Sequence, residues 1–312
     1  MKEVIMKSYK YIIFFSLIAC EGEKIDWAKA KIEDAYRPYA IEKGFIEYKY
    51  SGEEEGKEML IFKDYGHWQF RSKETRAQNV PLKKIEIISP AEIVNYKSTC
   101  KCLEYKIVKD TSDENRGIYY YDTLKGEYVP GNPYCIKQKK EIKEVNGIKQ
   151  LVCTEYDWEG SIRPNAMYYV LSSIWDTASP KTKQKLGPLM RQFAKEMSIG
   201  FIYAAAIVEM PTKKDIAGKK TTFYKVQGKD IRIFLWNNII LGSEVISETG
   251  KKIIVEAIKV DENPKITDDI FKIPSDFPPP VKYDTTSFIF KKEKNLAEQL
   301  VNIYLSEKGA NK

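Results

Sequence analysis

Apolar residues recur along this chain with two different periods, and the points where one gives way to the other mark its elements. Between residues 25 and 43 they fall at Ile25, Ala28, Ile32 and Tyr36, a helical period that Asp26 is placed to cap and Pro38 interrupts. From Phe45 the pattern becomes strand-like: Phe45, Ile46, Tyr48 and Tyr50, a charged turn from Gly52 to Gly56, then Met59 to Phe62, an antiparallel hairpin. A second turn, Lys63-Asp64-Tyr65-Gly66, leads into a strand from His67 to Arg71. Further strands are expected over 85–89, 92–96, 102–108 and 118–121. The middle is helical, at 167–176 and again over 180–197 as one or two helices broken by Gly187-Pro188. A continuous apolar patch at 199–210 is too short to span a bilayer and reads as buried helix or strand. Strands resume at 221–226, 231–236, 239–246 and 253–260. Pro278-Pro279-Pro280 ends them, and Leu296, Leu300, Ile303 and Tyr304 mark a last amphipathic helix over 295–306. Meandering strands with grouped helices predict an α+β domain built on one curved antiparallel sheet, with helices on its concave side and at both ends.

The first twenty residues carry a different message. Lys2, Lys7 and Lys10 precede an apolar run from Tyr11 to Ile18, and Glu21-Gly22-Glu23-Lys24 follows at once, the layout of an export signal. The run is about half of the roughly 20 residues a spanning helix needs. It closes on Leu17-Ile18-Ala19-Cys20, which resembles the lipobox of bacterial lipoproteins: aliphatic, variable, small, cysteine. That resemblance implies cleavage before Cys20, acylation of its thiol and lasting attachment to a membrane, since several acyl chains hold where one does not. Glu21 stands where the inner-membrane retention signal has aspartate, which favours the periplasmic side of the outer membrane. The alternative is an ordinary cleaved signal with a coincidental cysteine. The expected boundaries are 1–19 signal, 20–43 anchor and first helix, 44–281 sheet domain with a helical insertion around 165–210, and 282–312 helical tail.

Composition narrows the picture without changing it. The 312 residues are enough for a sizeable core, and 21 tyrosines, 13 phenylalanines and 5 tryptophans exclude disorder throughout. The net charge of +7 is spread over scattered lysines, so nucleic acid is not an expected partner. Besides Cys20, the chain holds Cys100, Cys102, Cys135 and Cys153, an even number that in an exported protein reads as disulfides. Cys100 and Cys102 would face the same side of one strand, and a bond between them would strain it. Each is therefore expected to reach one of Cys135 and Cys153, with a four-thiolate zinc site as the alternative.

A second resemblance covers about a third of the chain. Ile216-Ala217-Gly218-Lys219, Phe223-Tyr224-Lys225-Val226, Asp230 to Trp236, Ile239 to Glu244, and the run Asp261 to Pro274 ending in Phe271-Lys272-Ile273-Pro274 are similar to the second half of the lipoprotein-carrier fold. The resemblance implies a half-barrel closed in part by helices, with Phe271 plugging its mouth. The long region from 115 to 210 and its cysteines depart from that pattern.

Chemistry is sparse. The one histidine, His67, beside Trp68, has no second histidine for a metal pair and reads as a core or rim residue. The carboxylates at Asp268-Asp269 and Glu53-Glu54-Glu55 fall in turns, no glycine loop cradles phosphate, and neither catalytic residue, metal nor cofactor is expected. The aromatic residues point instead to a cavity of acyl-chain size lined by Phe45, Tyr48, Phe234, Trp236 and Phe271. The expected role is binding of a lipid acyl chain, a lipoprotein or another apolar protein segment, with the membrane as partner through the Cys20 anchor. A structural or interaction subunit of an envelope assembly, holding an envelope protein partner and no ligand, is the alternative.

Overall fold

The computed structural model describes residues 25–77, 80–108, 119–122, 127–130, 132–145, 148–198, 207–226, 230–246 and 250–307. The export signal, the lipobox and Cys20 lie outside them, as does 199–206 of the apolar patch. In chain order the elements begin with a single helical turn, α1 (Ile32–Ala35), and five strands, β1 (Gly44–Gly52), β2 (Glu54–Lys63), β3 (Trp68–Ala77), β4 (Val80–Ile88) and β5 (Glu92–Cys100). Then come β6 (Cys102–Val108), β7 (Tyr119–Asp122), β8 (Glu127–Pro130), β9 (Asn132–Gln138), β10 (Lys140–Val145), β11 (Ile148–Cys153) and β12 (Tyr156–Pro164). Two helices follow, α2 (Ala166–Thr177) and α3 (Pro180–Ser198). The last strands are β13 (Ile207–Ile216), β14 (Lys219–Val226), β15 (Ile231–Trp236), β16 (Ile239–Ile246), β17 (Lys252–Asp261) and the short β18 (Val281–Lys282), before α4 (Phe288–Glu307).

The chain divides into two compact units, 25–96 with 160–307, and the inserted 97–159. The fold is mixed α+β, with one large curved antiparallel sheet in the order β13-β14-β15-β16-β17-β1-β2-β3-β4-β5-β12-β18 and only the last pair parallel. Its order is linear, so it does not close into a barrel. Turn chemistry sets much of the register. Ala217 and Gly218 both have positive φ (49° and 75°) in the two-residue link between β13 and β14, and Asn237 and Asn238 (49° and 62°) do the same between β15 and β16. Such links match the right-handed twist of the strands they join. Bulges between β1 and β17, between β13 and β14, and between β15 and β16 add to the coiling. As a result β13 curls back toward β17: Lys214 pairs with Glu256, four strands away in the order.

Three expectations need correction. The helix over 25–43 shrinks to the one turn of α1. Tyr36 is already extended, and the residue before Pro38 is sterically pushed out of the helical region. Residues 180–198 form one helix despite Pro188. Gly187 has no Cβ to clash with the proline ring, and an added Cβ there would sit 2.3 Å from Trp27. Cys100 and Cys102 do not share a strand. Lys101 separates them, donating its N–H to Glu155 O and accepting from Lys139 N–H, where the chain changes partners from β12 to β9.

The first unit has two main apolar clusters. One joins the helices: Ile32 and Ala35, Val170, Leu171 and Trp175, Met190 and Phe193, and Val301 and Tyr304. Trp175 Nε1 donates to Ala30 O (3.1 Å) and Arg191 Nε to Asp34 O (2.9 Å), which ties the segment around α1 to α2 and α3. The other lies on the sheet: Tyr39, Ile46, Tyr48, Leu60, Phe62, Ile216, Phe234 and Leu241, all buried. After β17 the chain runs back across β3 and β5. Phe271 packs on Trp68 at 6.0 Å, Phe277 meets Tyr96 edge-on at 4.9 Å, and Tyr96 donates its hydroxyl to Pro278 O (2.7 Å) before β18 joins β12.

Among the described residues the inserted unit holds three two-stranded ladders, β6 with β9, β7 with β8, and β10 with β11. Cys100 and Cys153 are joined by a disulfide, one of the two pairings expected for Cys100, and Cys102 is disulfide-bonded as well. The side chain of Cys135 lies outside what is described.

Candidate functional site

Alternation along a strand decides which residues meet, and it separates the five expected ligand residues. Tyr48, Phe234 and Trp236 belong to the buried sheet cluster. Phe45 points to the other face of β1 from Tyr48, beneath the Lys259 ammonium at 5.4 Å. Phe271 is buried in a 3-10 turn against Trp68, with Lys63 Nζ 5.4 Å from its ring and 2.5 Å from Asp268.

Around Phe234 the coiled strands are filled by their own side chains. Phe234 stacks on Phe223 at 5.1 Å, the Lys214 ammonium sits 5.1 Å from its ring, and Ile216 is 1% exposed. A Cβ added to Gly242 would lie 2.9 Å from Ile216 Cδ1 and 3.2 Å from Phe234 Cδ2, so not even a methyl group fits without movement. Tyr48 donates its hydroxyl to Ile240 O (2.9 Å), which satisfies its polar tip inside the fold, and burial pushes its pKa well above the usual tyrosine range.

Next to this cluster the same face of β1 to β5 turns polar. The registers Leu60↔Arg71, Glu58↔Lys73 and Arg71↔Glu86 place these side chains together. Arg71 donates to Glu58 Oε1 and to the Tyr39 hydroxyl, each at 3.1 Å, and Tyr50 donates to Glu58 Oε2 at 2.5 Å. Lys73 pairs with Glu54 at 2.8 Å and lies 4.3 Å from the Tyr50 ring. Asn95 extends the row, with its amide donating to Glu86 (2.8 Å) and accepting from Arg163 (2.7 Å), and Arg163 Nε donates to Glu293 of α4 at 2.9 Å. Burial opposes the Arg71 charge, but Tyr39, Glu58, Tyr48 and Glu86 outweigh it and hold its pKa above the usual arginine value. The Tyr50 hydroxyl is held far above the usual range by burial and then by Glu58. The row crosses β2, β3, β4, β5 and β12 and remains half-buried.

His67 joins sheet to helices. It is 6% exposed, its Nε2 lies 3.1 Å from Glu33 O, and the Tyr168 ring meets it edge-on at 5.9 Å. Tyr168 donates its hydroxyl to Glu33. Burial lowers the His67 pKa, with Arg37 adding to that and Glu33 and Asp64 opposing it. A groove of about 510 Å³ runs along α2 between Pro90, Ala91, Pro164, Tyr168 and Ser172. No cluster of three or more metal-ligating side chains occurs among the described residues, and no described helix is long and apolar enough to cross a membrane.

The charged row was not singled out from sequence. Its members lie on five strands, and only the registers bring them together. The sole local signal is the placement of charges at Glu58, Arg71 and Glu86, where alternation would put apolar residues facing a core. No protein-family model matches the chain, and no curated protein matches it.

Proposed function

We propose that this protein is a lipid-anchored component of the bacterial cell envelope whose curved sheet serves as a rigid interaction scaffold for another envelope protein. The anchor is an acylated Cys20, and the periplasmic side of the outer membrane is the favoured location. The observation that carries the scaffold reading is the charged row Glu58–Arg71–Glu86–Asn95–Arg163. An acyl chain laid along it would strip water from several charges and return nothing, whereas a polar protein surface replaces that water with hydrogen bonds. The filled interior around Gly242 supports the same choice. No bond making or breaking is proposed.

A second reading, carriage of a hydrophobic ligand in a half-barrel cavity, is favoured by one observation: Tyr48, Phe234 and Trp236 fall in one apolar cluster. Affinity purification from detergent-solubilised envelopes separates the two. Lys84 is the register partner of Lys73 on β4 and pairs with Glu86 at 3.6 Å; under the scaffold reading the wild type captures a stoichiometric protein that the Lys73→Glu, Lys84→Glu variant loses. Capture of the same proteins by both forms, together with co-purifying lipid, contradicts it.

A further inference from the structure

We infer that the first half of α4 is a membrane-contact face, which lays Phe288, Ile289 and Leu296 into the headgroup region of an anionic bilayer. This rests on the reading that the protein works at a membrane surface, but not on the lipid itself. The start of α4 is firmly set. Asp284 accepts from the N–H of Thr286 (2.9 Å) and of Ser287 (3.1 Å), and Ser287 Oγ accepts from Phe290 N–H (3.3 Å). Phe290, Ala297, Val301 and Tyr304 then point into the helical core, each no more than 3% exposed. The capped first turn displays Phe288 outward at 77% exposure, with Leu296 at 53% and Ile289 at 38%. Phe288, Lys292 and Leu296 follow at four-residue spacing and Ile289 precedes Leu296 by seven, so they share one side of the helix.

Nothing in the capping or the packing requires a phenylalanine at that first position. Charge decides the occupant. Lys291, Lys292 and, on β18, Lys282 are exposed, and none has a carboxylate partner among the described residues. Asp284 spends its carboxylate on the cap, and Glu293 is turned to Arg163. Apolar side chains rimmed by free lysines fit the boundary between acyl chains and anionic phosphates.

The test uses the full chain labelled with a nitroxide at Phe288→Cys, and at Lys185→Cys as a control on exposed α3. Both are bound to vesicles of phosphatidylglycerol and to vesicles of phosphatidylcholine. The expected result is a label at 288 reached by oxygen and shielded from a water-soluble relaxant on the anionic vesicles only, with the label at 185 in water throughout. In the Cys20→Ala form, which partitions without acyl chains, Phe288→Ser should weaken partitioning by about tenfold or more, and Lys291→Gln and Lys292→Gln by about fivefold each. A label at 288 that stays in water while the acylated protein is bound overturns the contact face and leaves the anchor standing. Immersion of 288 in a Cys20→Ala variant supports the face even where the anchor fails. Shielding that needs no vesicle and grows with protein concentration identifies a second copy as the occupant and overturns the proposal.

Discussion

Replacing Gly242 by alanine asks whether the inside of the coiled strands β13 to β17 is filled. At an open strand position the change stabilises, because glycine in a strand interior costs roughly 0.5–1 kcal/mol relative to alanine. Here the new methyl would lie 2.9 Å from Ile216 Cδ1 and 3.2 Å from Phe234 Cδ2. Both neighbours are buried, Ile216 at 1% and Phe234 at 8% exposure, so neither has room to withdraw. Overpacking of this kind costs about 1–3 kcal/mol, which leaves a net destabilisation of about 1 kcal/mol after the strand gain is offset. Ile216→Val identifies the cause, because it removes the Cδ1 atom in question. Alone it should cost about 1 kcal/mol; combined with Gly242→Ala it should cost less than the sum, by about 0.5 kcal/mol or more. Urea unfolding of the four proteins, followed by tryptophan fluorescence at unchanged slope, reads these values directly. A neutral or stabilising Gly242→Ala, or two changes that simply add, would refute the filled interior and return the space to a ligand.

Other outcomes follow from the same contacts. Arg71→Leu removes the donors to Glu58 Oε1 and to the Tyr39 hydroxyl, leaving Glu58 with Tyr50 alone, and should cost about 2 kcal/mol by denaturant midpoint, toward the lower end for a buried pair because the guanidinium keeps some water; a change below about 0.5 kcal/mol would mean that the row is solvated and loose. The folded-state pKa of His67 lies below its unfolded value near 6.5, so the folded form binds fewer protons. Stability is then full above that pH and falls as the pH drops through 6.5 toward the folded pKa; melting curves between pH 8 and 5 should show this slope, and His67→Gln should flatten it. Cys100→Ser with Cys153→Ser opens a link with a sequence separation of 53, whose loss should destabilise the inserted unit by about 4 kcal/mol in the chain-entropy account. Hydrogen exchange should then rise in 97–159 first, and uniform exchange across the chain would count against an independent unit.

Much of the sheet was legible because strand signals are local. Alternation at Phe45 to Tyr50 and at Met59 to Phe62 gives the first hairpin, and β15 and β16 fall within their expected bounds of 231–236 and 239–246. The gap between the two expected strands falls at Asn237-Asn238, which adopt positive φ, as do Ala217 and Gly218 before β14. What failed depends on distant partners. Pro188 should interrupt α3, but Gly187 relieves its steric conflict and packs against Trp27, which is 160 residues away in the sequence. Residues 25–43 carry a helical period, yet Tyr39 N–H bonds to Tyr65 O and Ala40 N–H to Asn237 O, so contacts with turns of the sheet hold that backbone in bends rather than a helix. For the expected ligand residues on strands, aromatic character does not distinguish the two faces, and Phe45 lies opposite Tyr48. The charged row needs five registers at once, and no local pattern contains them.

The most direct measurement is the intact mass of the protein taken gently from envelopes, recorded native and denatured. The scaffold account predicts a denatured mass for a chain beginning at Cys20 with acyl chains added, and a native mass raised by a protein partner without a lipid-sized ligand. An unacylated chain, or a native mass raised by a small apolar ligand that leaves on denaturation, would contradict it.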